Sequence, residues 1–132
     1  MTNRENGCAL QPWMAGNTIN GIHFQITQDP PPVQGTVLDG WRVAMLLWLG
    51  RDTFIGKVNG NSFNMTLAGT NALTNGNCTY KLNATMNGDT NGGTINGTIE
   101  YTEVNTNNDP ACLPGCITRQ AFTGSRTSET CP

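Results

Sequence analysis

The dipeptide Asn-Gly occurs seven times in this chain, at Asn6-Gly7, Asn20-Gly21, Asn59-Gly60, Asn75-Gly76, Asn87-Gly88, Asn91-Gly92 and Asn96-Gly97, where 17 Asn and 16 Gly among 132 residues would meet about twice by chance. A tight hairpin turn needs positive φ, which Gly adopts freely and Asn tolerates best of the remaining residues, so Asn-Gly between alternating segments marks β-hairpins. The chain therefore reads as an antiparallel all-β protein. Its length suits one domain, 1–132, with one core.

Hydrophobic alternation locates the strands. Ile22, Phe24 and Ile26 alternate with His23, Gln25 and Thr27, which turns His23 outward, and Pro30-Pro31-Pro32 ends that strand because proline lacks the donor a ladder needs. Val33 to Leu38 follows, then a turn at Asp39-Gly40. Thr53 to Val58 and Ser62 to Leu67 flank Asn59-Gly60 as a hairpin, with Phe63, Met65 and Leu67 on one face. Cys78 to Met86 places Tyr80, Leu82, Ala84 and Met86 on one face, and Thr94 to Val104 and Cys116 to Arg126 complete a set of eight or nine strands. Ile19-Asn20-Gly21, Val58-Asn59-Gly60 and Ile95-Asn96-Gly97 echo one another as reused turn chemistry.

Trp41 to Leu49 breaks the alternation, since Trp41, Val43, Met45, Leu47 and Leu49 on one face are matched by Ala44, Leu46 and Trp48 on the other. The flanking turns Asp39-Gly40 and Gly50-Arg51-Asp52 favour a strand covered on both faces, by the segment Cys8 to Met14 or by another chain; a helix is the alternative. Sequential hairpins of this kind favour an up-and-down meander curled into a small antiparallel β-barrel of about eight strands, because closure removes exposed edges, with a two-sheet β-sandwich as the alternative. With a Gly-Trp pair at Gly40-Trp41, the arrangement resembles, at the level of fold only, the lipocalin and avidin kind of small barrel. That resemblance implies a small ligand held inside the barrel mouth.

Five cysteines, Cys8, Cys78, Cys112, Cys116 and Cys131, suit disulfides and an oxidising compartment, so a secreted or cell-surface location is expected. Pro114-Gly115 would let Cys112 and Cys116 bridge each other, or each could reach a different strand. Cys8 and Cys131 lie near the two ends, and at least one is expected to be bonded, with the other among its candidate partners. The odd thiol is either free or intermolecular. Metal is not expected: Cys112 and Cys116 have no second pair at ligand spacing, and His23 is the sole histidine. Asn87 to Gly93 has too few acids for a Ca²⁺ loop. The longest apolar run, Trp41 to Leu49, is far below the roughly 20 residues of a membrane-spanning helix.

Charged residues make up 12% of the chain, with seven basic side chains against nine acidic. No basic stripe exists to neutralise phosphates, so nucleic acid is not an expected partner. No cofactor motif is present, and catalysis has little to stand on: there is no nucleophile elbow, and Glu100 and Glu103 fall on opposite faces of one strand. Glu100 or Glu103 would instead pair with Lys81 or Arg119 across strands. Four sequons occur, at Asn64, Asn77, Asn83 and Asn96, of which Asn83, on an outward face, and Asn64 are the candidate glycosylation sites.

Two functional classes remain. The first is a secreted, non-enzymatic binding protein for a small apolar or carbohydrate ligand, held by the interior or by an aromatic surface that includes Trp13, with Trp41, Tyr80 and Tyr101 as candidate ligand contacts. The second is a structural subunit of an extracellular fibre or surface assembly, self-associating through the 41–49 strand with Trp48 and Leu46 at the interface.

Overall fold

The computed structural model describes residues 1–6, 16, 20, 22–27, 32–75, 77–106, 112 and 116–125. The expectations attached to Cys8, Trp13 and Cys131 lie outside those residues. In chain order the elements are β1 (Thr2–Asn6), β2 (Phe24–Thr27), β3 (Val33–Val37), α1 (Asp39–Leu49), β4 (Thr53–Asn59), β5 (Ser62–Leu67), β6 (Ala72–Asn75), β7 (Cys78–Asn91), β8 (Thr94–Asn105) and β9 (Ile117–Ser125). They form one antiparallel sheet in the order β1-β9-β8-β7-β5-β4-β3-β2, and β6 pairs with β7 alongside β5. From β2 to β9 the chain is thus an up-and-down meander, curled into a half-barrel, and it is one sheet, not the two of a sandwich. Among the described residues no ladder joins β1 to β2, so these two strands are the lips of the curl.

Alternation sets which way each strand faces. In β5 the burial alternates strictly, Phe63, Met65 and Leu67 inward, and in β7 Tyr80, Leu82, Ala84 and Met86 are buried in the same way. Their partners Ile99 and Tyr101 on β8, and Thr118, Gln120 and Phe122 on β9, continue the same concave layer. The convex face is polar and carries its own cross-strand pairs. Arg119 Nε donates to Glu100 Oε2 at 3.0 Å, Ser62 Oγ donates to Asp89 Oδ1 at 2.9 Å, and Asn64 donates to Asn87.

Four of the seven Asn-Gly pairs lie wholly within the described residues. Asn59 pairs with Ser62 and Asn91 with Thr94, so Gly60 and Gly92, each with φ of 62°, take the first central turn position while the Asn ends the strand. Asn87-Gly88 and Asn96-Gly97 are not turns. Gly88 and Gly97 face each other in the middle of the longest ladder, and a Cβ on Gly88 would come 2.6 Å from the Phe63 ring. Here glycine makes room for an aromatic side chain.

The segment 41–49 is a helix, which corrects the strand expected there. Trp41, Ala44, Met45, Trp48 and Leu49 fall at helical spacing on one face, and this face packs into the concave core. Gly50 stops the helix in the left-handed region at φ 78°, its N–H bonded to Leu46 O. The β5–β6 connection bonds to carbonyls of the same last turn: Asn71 Nδ2 donates to Leu46 O and Leu47 O at 3.1 and 3.0 Å, and Thr70 N donates to Leu49 O at 2.7 Å. Arg42, on the outer side, reaches Asp52 at 2.6 Å, and this hydrogen bond holds the Asp52 carboxyl below its ordinary range. No helix is long and apolar enough to cross a membrane among the described residues.

Cys78 and Cys112 form a disulfide with Cα atoms 5.7 Å apart, tying the start of β7 to the β8–β9 connection. Cys112 therefore does not bridge Cys116. Cys116 is also disulfide-bonded, to a partner outside the described residues.

Candidate functional site

The two ends of the concave face are filled differently. At the end where β7 begins, Leu49 and Leu82 are completely buried, and Tyr101 is sealed beneath α1. The ring of Trp48 stands edge-on to Tyr101 at 6.3 Å and to Trp41 at 5.4 Å. The Tyr101 hydroxyl donates to Gln120 Oε1 at 2.9 Å, and burial pushes its pKa well above the ordinary value. Gln120 is fully buried, so this bond satisfies a polar group that would otherwise be costly there.

Toward the β7–β8 hairpin the same concave layer leaves a cavity of about 290 Å³. Its walls come from every part of the curl: Met1 and Thr2 from the β1 lip, Ile22 and Phe24 from the β2 lip, Trp41 and Met45 from α1, and Met86, Ile99 and Phe122 from the central strands. Concave-facing glycines each lie under a neighbouring side chain: Phe24 over Gly35, Phe63 over Gly88, and Ile95, 3.2 Å from a Cβ built on Gly124, beside the cavity that Gly124 lines. Among the described lining residues no side chain is ionisable, although burial lowers the pKa of the Met1 α-amino group; the polar groups are those of Thr2, Asn20 and Thr123, exposed or half-buried, and the buried Trp41 Nε1–H.

Of the residues named from sequence as ligand contacts, Trp41 lines the cavity. Tyr101 lies behind it under Trp48, and Tyr80 is buried on β7, opposite Leu73 of β6 and two residues after Cys78. The cavity also uses Ile22, Met45, Ile99, Phe122 and Gly124, which sequence reading did not single out. Alternation gives the inward direction of Ile99 and Phe122, but only the packing shows that a cavity remains among them, Ile95 and Gly124. Of the interface candidates, Trp48 is 7% exposed and packed inward, and Leu46 is 37% exposed beside Val43 and Leu47, each 69% exposed. Asn64 is exposed, and Asn83 is half-buried with its Oδ1 accepting the Gly69 N–H at 3.0 Å.

Among the described residues the other titratable groups do not gather into a reactive cluster. Glu100 is engaged by Arg119 on the convex face, while Glu103, on the other face, has its Oε2 2.8 Å from Cys116 Sγ and its pKa raised by burial. His23 is exposed at the head of β2. Among the described residues no three His, Cys, Asp or Glu side chains are placed to hold a metal ion.

No family model, curated protein or solved structure matches this chain.

Proposed function

We propose that the protein is a secreted, non-enzymatic binding protein that holds a small apolar molecule between the concave face of its half-barrel and α1. The observation that carries this reading is the cavity of about 290 Å³, enclosed by aromatic, aliphatic and methionine side chains and open at one margin. Well-packed interiors leave few voids larger than a water molecule, so an apolar space of this size is a ligand site by the ordinary logic of pockets. The Cys78–Cys112 bridge supports an oxidising compartment. A carbohydrate ligand has less support. Phe24, Phe54, Phe63, Tyr80, Tyr101, Phe122, Trp41 and Trp48 all belong to the concave core or its lining, and no described aromatic side chain lies on the convex face as a platform for a sugar.

Native mass spectrometry of the protein isolated without reductant tests the reading. A non-covalent adduct on the wild-type chain that is absent from the Gly124→Leu variant, which places methyl groups directly in the cavity, is the expected result. An adduct retained by the variant would move the ligand elsewhere.

The assembly reading is favoured by one observation, the strip of Val43, Leu46 and Leu47 that α1 presents to solvent. For that reading Leu47→Glu should convert oligomers to monomers in sedimentation, and unchanged sedimentation would remove the strip from any contact.

A further inference from the structure

We infer that Asn59 and Asn91 are sites of spontaneous deamidation, converting to aspartate and isoaspartate in the folded protein, while Asn87 and Asn96, in the same Asn-Gly dipeptide, keep their amides. Neither reactive asparagine lines the cavity, so the modification stands apart from ligand binding.

The reaction needs only the chain and water. The backbone nitrogen of the following glycine attacks the asparagine Cγ, the new N–Cγ bond closes a five-membered succinimide, the Cγ–Nδ2 bond breaks, and the proton of the attacking nitrogen leaves with the amine as ammonia. Water then opens the ring at Cγ, giving aspartate, or at the backbone carbonyl, giving isoaspartate. Glycine in the following position favours the attack because no Cβ obstructs its nitrogen. Ring closure also requires the asparagine ψ to turn far from its extended value, bringing the glycine nitrogen round to the side of Cβ. A residue at a strand end can make that rotation; one held between two neighbouring strands must first break ladder hydrogen bonds.

The ladders sort the four described pairs into these two classes. Asn87 lies between Asn64 of β5 and Thr98 of β8, and Asn96 between Asp89 of β7 and Thr123 of β9, so the strand is flanked on both edges at each position. The backbones crowd together there: a Cβ on Gly88 would collide with Asn96 O, and one on Gly97 with Asn87 O, which leaves the peptide planes no room to swing. Asn64 further holds the Asn87 side chain by donating to its Oδ1. Asn59 and Asn91 stand at strand ends instead. Among the described residues Asn59 has a ladder partner on one edge, Ser62, because the β3 ladder on β4 stops at Gly56. Asn91 likewise has Thr94, because the β5 ladder on β7 stops at Asp89. Both asparagines and both following glycines are exposed. Gly60 and Gly92 take the first central turn position, whose N–H plays no part in the hydrogen bond that closes a two-residue hairpin.

Ageing the full chain at physiological temperature in mildly alkaline buffer, folded and in parallel unfolded in urea, tests this, with peptide mass mapping to locate each converted asparagine. In the folded chain Asn59 and Asn91 are expected to convert about tenfold or more faster than Asn87 and Asn96, because hairpin ends open far more readily than mid-sheet ladders, and in urea all four should convert within about threefold of one another. Conversion of Asn87 or Asn96 in the folded chain as fast as that of Asn59 and Asn91 would overturn the inference. So would Asn59 and Asn91 that stay intact in the folded chain while converting in urea, or a difference between the two pairs that persists undiminished in urea.

Discussion

The two ends of the concave face are laid down by the same strands, yet one is packed shut and the other is left open. At the shut end the C-terminus of α1 is clamped by Asn71, Leu49 and Leu82 are fully buried, and the Cys78–Cys112 bridge closes the neighbouring connection. At the open end the N-terminal turn of α1 contributes Trp41 to a wall, the facing strand positions include Gly124, and among the described residues no ladder joins the sheet margins β1 and β2. Stability is thereby concentrated at one end, which leaves the other able to keep an apolar cavity whose lost packing a close-packed interior would not tolerate.

Substitutions at the two ends should differ most. Leu82→Ala, at the shut end, is expected to lower stability by about 2–5 kcal/mol, the range for a fully buried leucine, whereas Gly124→Leu at the open end should cost less, about 1 kcal/mol, because its Cβ meets only the Ile95 side chain, at 3.2 Å, which has the cavity to move into. Chemical denaturation of both variants checks the pair, and equal losses would mean that the open end is packed as tightly as the shut one. Next in size is the disulfide. Replacing Cys78 and Cys112 together by Ser releases a constraint across 34 residues and should cost about 3–4 kcal/mol on the chain-entropy estimate. A midpoint unchanged in the double variant would remove the bridge from the shut end's account.

Tyr101→Phe keeps the ring against Trp48 but removes the hydroxyl's bond to the buried Gln120 Oε1, with an expected loss of about 1–3 kcal/mol. A thermal shift near zero would show that Gln120 finds another partner. The smallest effect concerns Glu103, whose folded-state pKa burial raises above the ordinary 4.5. Below that value both folded and unfolded states are protonated and the residue is neutral in the balance. As pH rises toward the folded pKa, the unfolded state ionises more readily and wild-type stability falls. Glu103→Gln should therefore be the more stable form at pH 7 and equal to wild type near pH 3; stability curves that stay parallel across that window would contradict the raised pKa.

Strands with one wet face were legible in the sequence because polar and apolar residues alternate there, as in Ser62 to Leu67 and Cys78 to Met86. The 41–49 segment was not, since apolar side chains stand on both of its faces, and the helical spacing of Trp41, Met45, Trp48 and Leu49 is only decisive once Gly50 is seen to cap it. β1 and β6 carry the sequences TNREN and ALTN, with too few apolar residues for any period, and exist through pairing to β9 and β7. Asn-Gly pointed to hairpins, correctly at Gly60 and Gly92, but within the β7–β8 ladder Gly88 makes room for Phe63 and Gly97 for the close approach of the Asn87-Gly88 backbone. Of the site, Trp41 was legible as an aromatic worth noting. The cavity was not, because alternation says which side chains face inward and is silent on whether they meet.

The most direct test of the account is a measurement of nuclear Overhauser contacts between the protons of 2-naphthol, added as a small apolar probe, and the methyl groups of the protein. The cavity predicts contacts to Ile22, Ile95 and Ile99, which line it. Contacts confined to Val43 and Leu47 on the outer side of α1 would place the ligand on the exposed strip and contradict the account.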